Sequence, residues 1–255
     1  MSGIFLYLAI CLGINLTLFV PAYLLKTDKL TDISYALSFV VVAIIGYERS
    51  DKSILHALFS ACVVLWAVRL GGFLYIRIMK NKSDKRFDGI REHAGKFLQF
   101  WALQGLSVFI VISSGVVLWE KQHPVVTIGS AIGIGVFGFG LVFEAVADWQ
   151  KYQFSLKKRN KGLWVSAGLW KLSRHPNYFG EIVVWLGLFI VAFDQLSTLQ
   201  VGIAAMSPLY IATLLLFVSG MPILEKSADK KWGHDKKYQQ YKKQTPLLLP
   251  RFPSH

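Results

Sequence analysis

The chain has 255 residues, of which 54% are apolar and 17% charged. Soluble globular domains are nearer a quarter charged, so this balance excludes an ordinary soluble domain and points to the membrane class. The net charge of +13 does not imply a nucleic-acid partner, because the basic residues gather in loops between apolar stretches.

Seven such stretches run over 4–25, 33–47, 53–76, 97–119, 125–149, 178–193 and 199–224. About 20 helical residues cross ~30 Å of hydrocarbon, so the expected fold is an all-α, polytopic membrane bundle with one span per stretch. The second and sixth are short, with ends expected at the interface or inside the bundle. The first lacks the basic start of a signal peptide and is read as structure. Within it, Asn15-Leu16-Thr17 matches a glycosylation sequon but sits mid-span. Cys11 and Cys62 lie in the first and third spans, without metal-ligand spacing; no metal site and no disulfide is expected.

Loop 77–96 is polar and mixed in charge. Loop 150–177 holds Gly162 and Gly168 before a helix-like segment, 169–172. Residues 225–245 read as an amphipathic helix broken near Gly233, ended by Pro246, Pro250 and Pro253. No repeat or linker divides the chain, so residues 1–255 are read as one membrane domain with cytoplasmic loops 77–96 and 150–177 and a cytoplasmic tail 225–255. Seven spans place 24 of the 28 Lys and Arg residues on one side, and Arg49, Lys52 and Lys121 on the other. The positive-inside rule then sets the amino terminus outside and the carboxyl terminus in the cytoplasm.

Ionisable groups inside a membrane cost at least ~2.5 kcal/mol at its centre and are functional candidates by default. Asp32, Arg69, Glu144, Asp148, Glu181 and Glu225, with the amide Gln104, all fall in the cytoplasmic half under this topology. They could line one polar cavity, or serve singly as helix caps and ion-pair partners. Gly133-Ile134-Gly135-Val136-Phe137-Gly138 matches a dinucleotide fingerprint, but it lies inside the fifth span with no strand before it. Close helix packing is the expected role of these glycines.

The richest segment is Arg174-His175-Pro176-Asn177-Tyr178-Phe179-Gly180-Glu181, leading into the sixth span. Pro176 suits a helix start. Arg174 offers a planar donor fork for phosphate or carboxylate. His175 and Asn177 add donors, Tyr178 a ring and Glu181 an acceptor, a mixture that suits a nucleotide-like ligand. A cytoplasmic anchor beside a helix start is the plainer alternative.

With Trp232-Gly233 and Tyr238-x-x-Tyr241 in the tail, and with 82–87 and 100–104, this segment resembles the steroid 5-alpha-reductase-like superfamily over most of the chain. The branch it resembles most is a broad one known as a domain of unknown function. The resemblance implies a nicotinamide cofactor bound by Asn177, Tyr178, Glu181 and Asp148, with Tyr238 and Tyr241 from the tail. The Arg-His-Pro form is shared with isoprenylcysteine-type methyltransferases, which bind S-adenosylmethionine and tend to carry an acidic pair where this chain has Glu225-Lys226. Steroid-reducing members carry a Gln-Glu pair where this chain has Thr31-Asp32.

The expected activity is NADPH-dependent reduction of a carbon–carbon double bond conjugated to a carbonyl, in a lipid-soluble substrate of which steroids are one class. Asp32 is the expected proton donor, held protonated by burial. Arg174, His175, Asn177, Tyr178, Glu181, Asp148, Tyr238 and Tyr241 are the expected cofactor residues. Membrane lipids and the lipophilic substrate are the expected partners. S-adenosylmethionine-dependent methyl transfer is the alternative. A transporter is a further one, though no internal symmetry of broken spans supports it.

Overall fold

Hydrocarbon offers a backbone no hydrogen-bond partners, so apolar stretches must close their own bonds as helices. The computed structural model of the chain describes residues 2–81 and 87–251. Residues 82–86, which hold most of the 82–87 motif, lie outside the described residues. The order is α1 (Ser2–Leu24), α2 (Lys29–Arg49), α3 (Ile54–Asn81), α4 (Ala94–Val111), α5 (Ser113–Trp119), α6 (Ile128–Leu156), α7 (Leu169–Leu172), α8 (Pro176–Phe193), α9 (Thr198–Thr213), α10 (Met221–Trp232) and α11 (Lys236–Gln244). No strand occurs among the described residues.

Among the described residues, seven helices are long and apolar enough to cross a membrane, as expected. Two differ in detail. The fourth stretch divides at Ile112, whose ψ of 4° leaves the helical region between α4 and α5. The seventh closes with a π-helical turn, Leu214–Val218, and α10 then carries helix past 224 to Trp232.

The chain, read from sequence as one domain, clusters into two compact units: residues 1–131 with 188–207, and residues 132–187 with 208–255. In the first, a buried polar knot joins α1, α2 and α4. Gln104 Nε2 donates to Asn15 Oδ1 at 2.8 Å and Ser34 Oγ at 2.7 Å, and Asn15 Nδ2 donates to Ser38 Oγ at 3.0 Å. Ser114 Oγ donates to the Ala204 carbonyl at 2.9 Å. That carbonyl has no helical donor, because residue 208 is a proline and brings no N–H. Arg91 pairs with the buried Asp28 at 2.8 Å, folding the end of loop 77–96 onto the start of α2.

The second unit is built on a close crossing of α6 and α8. A Cβ on Gly187 would lie 2.4 Å from Phe137 N, and one on Gly180 would lie 2.6 Å from Glu144 N. Gly140 meets the backbone of Val184 in the same way. The expected packing role is therefore real but shifted along α6: Gly135 and Gly138 face open space, while Gly140 and the Gly133 carbonyl make the contacts.

Gly187→Ala should force α6 and α8 apart and lower stability by about 1–3 kcal/mol. Gly135→Ala meets no neighbour and should be neutral or stabilising by up to ~1 kcal/mol. Thermal unfolding in detergent checks both, and equal melting temperatures for the two variants would contradict the crossing.

Candidate functional site

α8 starts at Pro176, and the residues just before it are pinned by the returning tail. Arg174 N donates to the Pro246 carbonyl at 2.9 Å, Arg251 N to the Leu172 carbonyl at 3.0 Å, and Ser173 Oγ to the Leu247 carbonyl at 3.4 Å. The prolines that end α11 thus also lay the chain end along 172–174. α7 is fixed from two sides: Trp170 Nε1 donates to the Ala147 carbonyl at 2.9 Å, and Tyr241 Oη donates to the Trp170 carbonyl at 2.7 Å.

Glu225, on α10, gathers the polar groups of this unit. Arg174 Nη1 pairs with one carboxylate oxygen, and His175 Nε2 meets the other at 2.9 Å. Lys242 of α11 lies 3.5 Å from the first oxygen and 2.6 Å from Asp229. Burial pushes the His175 imidazole below its ordinary value of 6.5, against the opposing bond from Glu225. A neutral imidazole facing a carboxylate must carry its hydrogen on Nε2, which leaves Nδ1 with the lone pair. Among the described residues that atom is buried without a hydrogen-bond partner, as are Arg174 Nε and Trp164 Nε1. Burial works to lower the Lys242 pKa, but the hydrogen bond to Asp229 and the nearby Glu225 charge outweigh it, and the net shift is upward. Burial also raises the Tyr238 and Tyr241 phenols, so both stay protonated.

These groups border a cavity of about 670 Å³, within the ~300–1,000 Å³ usual for small-molecule sites. One wall is aromatic. Trp164 lies against Trp232 at 6.1 Å, Tyr238 at 5.2 Å and Tyr241 at 6.4 Å between ring centroids. The lining also carries Lys151, Lys157, Lys158, Lys161, Lys231 and Arg174, against the single acid Glu225. Trp232 Nε1 donates to the Gly162 carbonyl and so closes α10 onto the loop.

Of the residues expected from sequence, Arg174, His175, Tyr238 and Tyr241 line this cavity. Asp148, Asn177, Tyr178 and Glu181 belong to the same unit but are not in its lining. On α8, residues 177, 178 and 181 fall within one arc of about 100°, and Tyr178 stacks on His175 at 5.5 Å. Arg174, read as a donor fork for phosphate or carboxylate, meets the Glu225 carboxylate, and the Tyr241 hydroxyl braces α7. Asp32 lies in the first unit, where Arg77 approaches its carboxylate at 3.4 Å. Glu225 was read from sequence as one of the polar groups that could line a cavity, without a cofactor role, whereas Trp164 and the lysines of 157–161 were not singled out for the site. The basic run 157–161 and the acid after the last span were the available signals.

Fold and site together define a multi-pass helical membrane protein with a basic, aromatic-walled cavity. The chain belongs to the family described as a protein of unknown function (DUF1295), whose model matches residues 18–245. No curated protein and no solved structure matches it.

Because His175 is held neutral, the unfolded chain binds its proton first as pH falls. Stability is therefore full above about pH 6.5 and declines as pH drops through that value toward the lower folded pKa. Denaturation between pH 7 and 5 should show this fall, and His175→Gln should flatten it. Asp32→Asn should change stability by under about 1 kcal/mol, as a part-exposed ion pair does. A fall in turnover of about 10²-fold or more would support the expected proton-donor role, and near-normal turnover would remove it.

Proposed function

We propose that the protein is a membrane-embedded, NADPH-dependent reductase of a conjugated carbon–carbon double bond in a lipid-soluble substrate. The observation that carries this reading is the cavity of the second unit, where an aromatic wall stands beside an excess of cations. Aromatic faces suit the rings of a nucleotide, and lysines suit its phosphates. Trp164 Nε1 and Arg174 Nε are obligate donors without acceptors, and phosphate, ribose or carboxamide oxygens are acceptors that such buried donors need. The residues present therefore fit a dinucleotide.

When bound, NADPH would supply the hydride. The protein's part is to hold and orient it. Trp164, Trp232 and Tyr238 would pack against the rings. The pinned segment 173–175 would fix the cofactor against the start of α8. Glu225 would keep Arg174 and His175 in place. The steroid 5-alpha-reductase-like resemblance of 174–181 supports a hydrophobic enone as substrate, with steroids as one class. The basic loops support a cytoplasmic side for this cavity, with the amino terminus outside and the carboxyl terminus in the cytoplasm.

A second reading, methyl transfer from S-adenosylmethionine, draws on the four-ring cluster of Trp164, Trp232, Tyr238 and Tyr241. Aromatic faces attract a sulfonium as they attract other cations. The lysine excess opposes it, since that cofactor brings no phosphate.

Thermal-shift titration of the purified protein separates the two. NADPH should stabilise it by about 2.7 kcal/mol at a hundredfold excess over Kd. Stabilisation by S-adenosylmethionine alone would replace the reductase with the methyltransferase.

A further inference from the structure

We infer that His56, set between the Asp51 carboxylate and the Leu118 carbonyl, is a proton-operated latch in the first unit. The imidazolium closes it, and the neutral ring loosens it.

The latch joins two turns. Asp51 lies between α2 and α3, and His123 lies in the connection from α5 to α6. Lys52 in the first turn and His123 in the second have φ of 58° and 51°. Side chains other than glycine hold that left-handed backbone only where their surroundings impose it. Here one carboxylate imposes it. Asp51 Oδ1 accepts from Ser53 N at 3.2 Å, and Asp51 Oδ2 accepts from His123 N, with His123 Nδ1 2.9 Å away. The His123 N–H, then that of Ser53 and the charges of both histidines, outweigh burial and hold the Asp51 carboxyl below its ordinary range. It therefore stays ionised while imidazoles titrate.

His56 is the buried half of the latch. It is 0% exposed, whereas the His123 side chain is 87% exposed. His56 Nε2 lies 2.8 Å from the Leu118 carbonyl oxygen, and Nδ1 lies 2.9 Å from Asp51 Oδ1, off the line of a hydrogen bond. A neutral imidazole carries one N–H, so in either tautomer a ring lone pair faces one of these oxygens. Burial keeps water from relieving that repulsion. Protonation removes it: Nε2–H bonds the carbonyl while the positive ring stands beside the carboxylate. The charges on the surrounding elements do not replace this proton. Glu48 and Lys52 pair with each other at 2.8 Å, Arg49 ends α2, and Glu120 and Lys121 follow α5, so with Asp51 they sum to zero. Trp119 Nε1 donates to Ser60 Oγ at 2.9 Å and keeps α5 on α3, so opening the latch frees the connection after α5. On the topology proposed above, both turns face outside, and the proton comes from there.

Hydrogen exchange at the amides of 52–53 and 120–123, in the full-length protein in nanodiscs between pH 7.5 and 5.5, reads the latch once corrected for intrinsic rates. The readout is local, which separates it from the opposite effect of His175 in the second unit. One proton limits the change to about tenfold per pH unit, and protection should rise at least about threefold across the range. His56→Gln keeps a donor for Leu118 without a titrating ring, and Asp51→Asn keeps an acceptor without charge. Each should abolish the rise, while His123→Gln should retain most of it. Wild-type protection that is flat, or that falls with acid, overturns the latch whether or not the variants fold. A rise that persists in His56→Gln, or disappears in His123→Gln, also overturns it.

Discussion

The second unit depends on one carboxylate. Glu225 receives Arg174 and His175 from the approach to α8 and stands beside Lys242 of α11, so a single side chain on α10 ties together segments some 50 residues apart. Removing two cationic or polar heads from water is costly unless a fixed acceptor meets them. Glu225 is that acceptor. Glu225 neutralises Arg174, and burial favours a neutral His175. The excess positive charge of the lining then comes from its lysines.

The site follows from how its backbone is braced. The α6–α8 crossing is close only because glycines at 140, 180 and 187 let backbone meet backbone. That crossing fixes Ala147 on α6, whose carbonyl holds the Trp170 indole. Trp170 in turn receives the Tyr241 hydroxyl, which seats α11. The aromatic wall is thus the end of a chain of contacts that begins with small residues inside a span. The first unit solves a different problem. Asn15, Ser34, Ser38 and Gln104 satisfy one another within an apolar environment, and Ser114 supplies the donor that Pro208 withholds from Ala204.

Much of this fold is legible in sequence because its strongest signals are local. Apolar stretches of membrane length announce the helices, Gly233 the break between α10 and α11, and Pro176 the start of α8. The site is less legible because its decisive contacts span long separations. The tail returning along 172–174 pairs residues 173 and 247, and no local pattern marks that pairing. Arg174 reads as a donor for phosphate or carboxylate, and which of the two it meets depends on a partner 51 positions away. The glycines of 133–138 advertise packing, but helical phase puts 135 and 138 on the open face. Asp32 reads as a buried acid, and only the third dimension brings Arg77 to it.

The central claim is that the aromatic wall of the second unit holds a reduced dinucleotide. Energy transfer from tryptophan to the dihydronicotinamide of NADPH tests it most directly, because Trp164, Trp170 and Trp232 line the cavity. The account predicts sensitised nicotinamide emission when NADPH is added to the purified protein, and its reduction in Trp164→Phe and Trp232→Phe. Absence of sensitised emission, or emission that both substitutions leave unchanged, would contradict it.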